Sequence, residues 1–457
     1  MVKLAKKMPE VFDTIIIGAG LSGLTTTKYL KDANMTTLTL EASDIPGGRL
    51  RSIENKDNSF EFGGTYIGHH YHRFQNLAKE LNLTTIDVTP LISFFKKQDL
   101  VINKKLIHQD DWENHKENTL DKDLKSILPW NLHRIILEKY NPFDSPEACL
   151  TSGTKDQSMK DWLQSLGFDD QQIKYIYGMN LSYGTDADSI SSLQLMHRAS
   201  FSNRQKSESK VIGFTLLEGM NELANRYIDH FNLNILFNNR VNKIVKEKSL
   251  FSVSCENGNE FRAERIVLTC APSTLKNITF DDYSKEERIQ FASELQSQPM
   301  FQIHFKHKKN FWEQDGFSPA IFSNEYLGMC YPVRNKIDPE EIIGFTAWVM
   351  GQKALDLIKL SQSDACSVII NNLQEIRPSM RNAIELTHLN AWSHEKDFLG
   401  GWTYFKPNQF LKWHKLLQSE KSNIFFSGEH ASISSRGIEG AIESGEKTAN
   451  ELLNSIH

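Results

Sequence analysis

The sequence predicts an α/β chain, a parallel-sheet domain interleaved with a second, α+β part built of helices and a mixed sheet. Three observations carry this expectation. A strand, a glycine turn and a helix open the chain. A long helix-rich stretch and a strand-rich stretch then interrupt the opening pattern. The final residues return to strand followed by helix, so the features suited to one domain come from three separated segments.

The first element is the apolar run Ile15-Ile16-Ile17, which reads as a strand buried on both faces. It ends in Gly18-Ala19-Gly20, after which Leu21, Leu24 and Leu30 mark the apolar side of a helix. A second strand at residues 36–40 ends on Glu41, completing a βαβ opening. Residues 84–207 are rich in charged and aromatic residues and lack strand periodicity; 120–140 and 158–166 read as helical. After Val211 come a helix at 221–231, a strand at 234–237 and a meander. Its strands at 250–255 and 260–263 flank Asn257-Gly258, a strong hairpin signal. A strand at 266–269 runs into Ala271-Pro272, and residues 285–389 mix strands and helices. The chain closes with a strand at 424–426 and a helix at 438–453. The expected organisation places one domain at 8–83, 208–284 and 391–457, and the other at 84–207 and 285–390.

Bulk properties narrow the function classes. A chain of 457 residues exceeds what one core normally supports, and its 39% hydrophobic and 24% charged content is that of an ordinary globular protein. A net charge of −5 offers no basic surplus for nucleic acid or an anionic membrane. No run approaches the ~18 apolar residues of a membrane span. Residues 1–10 carry lysines without a following apolar run, and the chain ends at His457 just after its last helix, so neither leader nor anchor is expected. The five cysteines, at 149, 255, 270, 330 and 366, are scattered without metal-ligand spacing, which fits a reducing, cytoplasmic compartment.

The chemistry is concentrated in short motifs. Gly18, Gly20 and Gly23 have the G-x-G-x-x-G spacing, and their position between a strand and a helix gives the pattern its meaning as a Rossmann-type dinucleotide site. Gly18 permits the tight turn, Gly20 lets a pyrophosphate approach the backbone, and Gly23 lets helix and strand pack closely. The free N–H groups of the helix start, at Leu21, Ser22 and Gly23, suit phosphate. Glu41 would accept bonds from ribose hydroxyls and repel a 2′-phosphate. Gly47-Gly48-Arg49 adds a glycine-permissive turn with a guanidinium for the pyrophosphate. Gly63-Gly64-Thr65-Tyr66 lets backbone pass a flat ring, and Gly428-Glu429 ends the last strand. Gly437 opens a helix with Ile438, Ile442, Gly445, Ala449 and Leu452 along one face, its N-terminus aimed at a group that gains negative charge. The run His69-His70-x-His72 has no acidic or cysteine partner nearby and reads as structural or surface histidines, so no metal is expected. Asp110-Asp111 and the acidic residues at 186–188 read as solvated loops or helix caps, and no nucleophile elbow is present.

Taken in order, residues 16–23, Glu41, Gly47-Gly48-Arg49, 63–66, Arg240-Val241, 401–404, Gly428-Glu429 and 437–445 resemble the flavin-containing amine oxidase family of monoamine and polyamine oxidases and related desaturases. The resemblance implies FAD as cofactor. It implies that Val241 meets the adenine through its backbone, that Glu429 meets the ribityl chain, and that the helix opening at Ile438 faces the pyrimidine end of the ring. It also sets Tyr66 near flavin and substrate, and makes Trp402 one wall of an aromatic substrate cage.

Three departures qualify it. No cysteine stands near Gly400-Gly401, which implies non-covalent FAD. The facing cage aromatic falls at Gly437, leaving room for a bulkier substrate. The family's lysine near flavin N5 falls at Gln302, counted back from Phe311-Trp312; a slip of two residues brings in Met300 or His304 instead. A glutamine can hold water but supplies no charge, which leaves dioxygen or another electron acceptor open. The expected reaction is oxidation of the C–N bond of a small or medium amine, by hydride transfer to flavin N5, giving an imine that hydrolyses. C–C desaturation of a carotenoid- or protoporphyrinogen-type substrate is the alternative reaction class, and a non-catalytic FAD-binding protein the third reading. The oligomeric state is open, a homodimer being compatible.

Overall fold

The computed structural model describes residues 11–55, 58–179, 182–204, 211–281, 286–418 and 422–456. The N-terminal segment read for a leader, the final His457 and the expected boundaries at 207/208 and 284/285 lie outside the described residues.

The apolar run at the start is the inner part of Val11–Ile17, whose last four residues are buried. It can be buried on both faces because parallel neighbours cover its edges: Thr37–Leu40 on one side and Glu260–Leu268 on the other. The eight-stranded sheet continues from Thr37–Leu40 to Ile235–Leu236, and from Glu260–Leu268 through Leu250–Cys255 and Val241–Glu247 to Thr279–Phe280. Ile424–Phe426 joins it in parallel on Glu260–Leu268. The sequence suggests two strands at 260–263 and 266–269, but the structure has one of nine residues. Its first half pairs with Leu250–Cys255 and its last residues with Ile424–Phe426, so the two halves serve two different neighbours.

Helix Leu21–Asp32 packs against the closing helix Gly437–Asn454, and the fit depends on a glycine. A Cβ on Gly445 would come within 2.7 Å of the Ser22 carbonyl oxygen. The helical expectation at 120–140 resolves into Lys122–Lys125 and Pro129–Tyr140, because Pro129 starts a helix better than it continues one. Ser158 caps Met159–Ser165 through a bond from the Asp161 amide.

The second sheet has seven strands, in the order Ile384–Asn390, Met300–His307, Ile342–Met350, Met329–Arg334, Ile321–Ser323, Asp99–Ile102 and Lys105–Ile107. The last two come from the stretch read as helical. They are four and three residues long, too short for a periodic pattern to register, and Lys105 and Leu106 stand partly in solvent. The fold is thus α/β in the first sheet, with a mixed sheet and a helical layer beside it, as expected. Among the described residues no helix is long and apolar enough to cross a membrane.

Several histidines are buried as neutral rings. Burial pushes His133 and His304 down to about 3 and His430 to about 4, and holds His414 well below its usual range. The unfolded chain would protonate all four near pH 6.5 while the fold does not, so stability is complete above that pH. It drains as pH falls toward the folded values, at ~1.4 kcal/mol per pH unit for each histidine. Melting temperature is therefore expected to fall by several degrees between pH 7 and pH 5. A flat profile across that interval would contradict the assignment of these rings as buried and neutral.

Candidate functional site

The glycine turns, the end of the sheet and the start of the closing helix open onto one cavity of about 480 Å³. At its sheet end Gly18 has φ +110°, a conformation reserved for glycine, with Thr269 packed against it. Gly20 begins the helix without a side-chain cap, and a Cβ there would meet nothing within 4 Å, because it would point into the cavity. Gly23 does not reach the cavity: a Cβ on it would collide with the Gly18 carbonyl oxygen, so its part is close packing. Leu21 and Ser22 line the wall, and the Ser22 hydroxyl sits 2.5 Å from that of Ser427.

Glu41 is nine-tenths buried at the cavity edge. One carboxylate oxygen accepts the Ala19 amide at 2.7 Å, and the other accepts the amide and hydroxyl of Ser43 at 2.9 Å. Three donors fix its direction and leave further acceptor capacity for a ligand hydroxyl. Val241, Asn239 and Arg240 lie on the same wall, and Arg240 donates to Asp397 at 2.8 Å.

Gly48, at φ +60°, passes within 3.4 Å of the Gly20 Cα, counted from where its Cβ would lie. The Arg49 guanidinium donates to the Gly401 carbonyl at 2.8 Å and to Glu429 at 3.1 Å, and the same Glu429 oxygen accepts the Thr403 amide at 2.8 Å. One carboxylate thus ties together segments near residues 49, 402 and 429. Gly64 lies against Ile438, whose side chain a Cβ would strike at 2.6 Å. Gly64, Gly428, Glu429, Gly437 and Ile438 all reach the cavity.

The other part of the lining is apolar and aromatic. Trp402 stands there, its indole N–H held by the Ser182 carbonyl at 2.8 Å and its ring edge-on to Tyr183. Gln302 lies on Met300–His307 and is 1% exposed. Its Oε1 accepts from the Trp392 indole at 3.1 Å, and among the described residues its Nε2 makes no hydrogen bond. Met300, two residues earlier on the same strand face, also reaches the cavity. His304, two residues later, does not; its Nδ1 meets the Thr346 hydroxyl at 2.9 Å and its ring abuts Phe62.

Two expected residues stay off the wall. Thr65 turns its hydroxyl onto the Gly63 carbonyl at 2.9 Å. Tyr66 is 39% exposed and its ring is not among the cavity-lining groups. The backbone of Gly63 and Gly64 faces the cavity, and the chain has turned by the time it reaches Tyr66. Tyr66 lies within electrostatic reach of Tyr331, which in turn stands 6.4 Å from Trp348.

Trp348, Trp392, Phe62 and Phe398 line the cavity without any motif to announce them. Trp348 is 6.5 Å from Trp402, tilted by 43°, so one part of the cavity wall is a pair of tryptophans side by side. Register brings it there: Gln302 pairs with Trp348 on one side and with Asn390 on the other. The run His69-His70-x-His72 forms edge-to-face ring contacts at 4.9 and 5.7 Å, away from the cavity. Among the described residues no group of three or more His, Cys, Asp or Glu side chains is arranged to hold a metal ion.

The donor set fits an extended dinucleotide carrying a flat ring. Both helix starts on the cavity, at Gly20 and at Arg436, lack side-chain caps and so leave N–H groups for a ligand.

Comparison with known proteins agrees with this geometry. Residues 21–453 match the family model for flavin containing amine oxidoreductase. Mouse flavin-containing amine oxidase B is 24% identical over 482 residues, covering 98% of this chain and 87% of the relative. The human protein of the same name is 22% identical over 480 residues, with coverage of 98% and 87%. Cyclohexylamine oxidase from Brevibacterium oxydans superposes with a TM-score of 0.77 at 18% identity, covering 98% of this chain and 100% of that one. Wild-type putrescine oxidase bound to putrescine gives a TM-score of 0.75 at 18% identity, covering 97% and 99%.

Proposed function

The chain belongs to the flavin-containing amine oxidoreductase family and is an FAD-dependent oxidoreductase, and from that premise we propose that it oxidises the C–N bond of an amine presented as the neutral base. The observation that carries this reading is the division of one cavity between a half built of glycine turns and helix starts and an aromatic half, with no catalytic acid–base dyad among the described residues of the aromatic half. FAD, when bound, supplies the two-electron acceptor for a hydride equivalent from the carbon beside nitrogen.

The chain's own residues hold, orient and exclude. Gly20, Leu21 and Ser22 offer backbone to the phosphates, Glu41 offers its carboxylate to a ribose, and Val241 offers backbone to the adenine. Arg49 and Glu429 fix the Gly401 and Thr403 backbone against the middle of the site. The uncapped start of Gly437–Asn454 directs its positive end toward the ring half, where charge accumulates on reduction. Trp402 and Trp348 shape an apolar wall, and because hydride loss from the carbon beside nitrogen draws on the nitrogen lone pair, the substrate reacts as the neutral amine. Gln302 Nε2 is the one unspent amide donor that Met300–His307 presents there, suited to orient a water or the substrate nitrogen.

We read the flavin as non-covalent and the location as cytoplasmic. In support of the first, Cys270 is the one cysteine among the described cavity-lining residues. Burial pushes its thiol up to about 11, and it lies by Glu41, far in chemistry from a ring-attached thioether.

Two readouts test the proposal on the purified holoenzyme. Acid precipitation should leave the yellow chromophore in the supernatant. Anaerobic titration with a panel of primary amines should bleach the visible flavin band. A retained flavin that no amine bleaches, but that a polyene or porphyrinogen reduces, would sink the amine reading in favour of desaturation.

A further inference from the structure

Beside the aromatic wall stand two arginines with no carboxylate. Arg198 lies on helix Ser192–Arg204, and its guanidinium is 5.2 Å from the ring centroid of Tyr183. That ring packs edge-on against Trp402, 5.8 Å away, and Trp402 lines the cavity. Arg436 directly precedes Gly437, another residue of the cavity wall, and its guanidinium is 5.8 Å from Phe201, one turn along the helix from Arg198. A bond from His197 Nε2 to the Ile433 carbonyl, 2.7 Å long, fixes that helix to the segment leading to Arg436.

Neither arginine forms an ion pair or a hydrogen bond among the described residues, and Arg436 Nε is fully buried without a partner. The acids early in the closing helix pair with neither arginine. Glu439 accepts the Arg73 and Phe74 amides; Glu443 accepts those of Ile433 and Ser434 on one oxygen, and its other oxygen is buried without a hydrogen bond. Burial and the charge of Arg436 both oppose the charge of Arg198. Aromatic faces soften such a cost without neutralising it. Two cations held together without an anion, next to a substrate wall and the positive end of a helix, form a site lacking its counter-charge.

We propose that Arg198 and Arg436 receive a carboxylate carried by the amine substrate, so that the enzyme acts on amino acids or other amines bearing an acidic group. The proposal rests on the amine reading above. A planar guanidinium matches a carboxylate through paired N–H bonds, which a simple alkylamine cannot offer.

The test uses the holoenzyme and matched probes: an α-amino acid and its decarboxylated amine, and an ω-amino acid with the alkylamine of equal length. Wild-type kcat/KM for flavin bleaching should favour the acidic member of at least one pair by about 10- to 100-fold. Arg198→Gln and Arg436→Gln should each remove that preference while leaving the plain amine within about twofold. Equal loss on both members of a pair, or no preference in wild type, overturns the proposal.

A second readout does not depend on turnover. Sodium benzoate should raise the wild-type melting temperature relative to equal sodium chloride, and should not do so in either variant. A shift produced by inorganic phosphate but not by benzoate would mark a site for free anions and overturn the substrate assignment. Removal of an uncompensated charge should leave the ligand-free variants as stable as wild type or more so; a clear fall in both would show that the protein already supplies the counter-charge. If no amine bleaches the flavin but benzoate still protects through the two arginines, the amine reading fails and the carboxylate site stands.

Discussion

Replacing Gln302 by lysine is expected to raise the rate at which dioxygen reoxidises the reduced enzyme by about 100-fold, the usual worth of one well-placed polar group at a developing charge. The cations that line the cavity are Arg49, Arg240 and Lys396. Arg49 is committed to Glu429, Arg240 to Asp397, and Lys396 lies 3.7 Å from Glu256. None is free to meet an oxygen molecule gaining negative charge, and Gln302 offers only a neutral amide. The substitution is structurally mild, since the Trp392 indole also donates to the Phe62 carbonyl at 2.9 Å and keeps a partner when the glutamine oxygen goes. Burial lowers the pKa of an introduced ammonium, so the gain should be larger at lower pH. Stopped-flow mixing of the amine-reduced enzyme with oxygenated buffer measures it, with Gln302→Met as the neutral control. If wild type already reacts fast, and lysine and methionine change it equally, charge at this position is irrelevant.

The second large effect separates two glycines three residues apart. Gly23→Ala should cost on the order of 3–5 kcal/mol or prevent folding, because its Cβ meets the Gly18 carbonyl inside a turn that cannot retreat. Gly20→Val should fold with near-normal stability in the cofactor-free form, since its φ of −70° suits any residue and its side chain enters open space. The proposed function puts the phosphates in that space, so the variant should purify colourless. Melting temperatures of the cofactor-free proteins and their flavin content decide the matter; a yellow Gly20→Val protein would remove this turn from the binding site.

The contrast also shows what a sequence can disclose. The glycines at 18–23, Glu41, Gly48 and Arg49 can be picked out of the sequence because backbone freedom or charge at fixed local spacing marks them, and Gly18, Gly20, Glu41, Gly48 and Arg49 do share one cavity wall; Glu429 is picked out by the family resemblance. In the aromatic half Trp402 and Gln302 come only with the resemblance, and Trp348 and Trp392 are not legible, because they reach Gln302 through strand register between segments about 45 and 90 residues apart. The family resemblance sets Tyr66 near flavin and substrate, yet Gly63 and Gly64 line the cavity and Tyr66 does not. The strands Asp99–Ile102 and Lys105–Ile107 escaped notice for a different reason, their brevity. Arg198 and Arg436 carry no motif at all, and only their lack of partners in three dimensions distinguishes them from other arginines.

The carboxylate of Glu429, which joins Arg49 to Thr403, has a consequence for how the protein is made. The cavity's first wall leaves the ribosome with residues 18–49, but the clasp arrives only with residue 429, and Ile424–Phe426 must still find its place on Glu260–Leu268. At ordinary synthesis rates of ~5–20 residues per second, the nascent chain waits roughly half a minute with its nucleotide turn formed and no opposing wall. The cavity is therefore expected to close on FAD only after translation, and cells short of flavin should accumulate a protease-sensitive form of full length rather than truncated fragments.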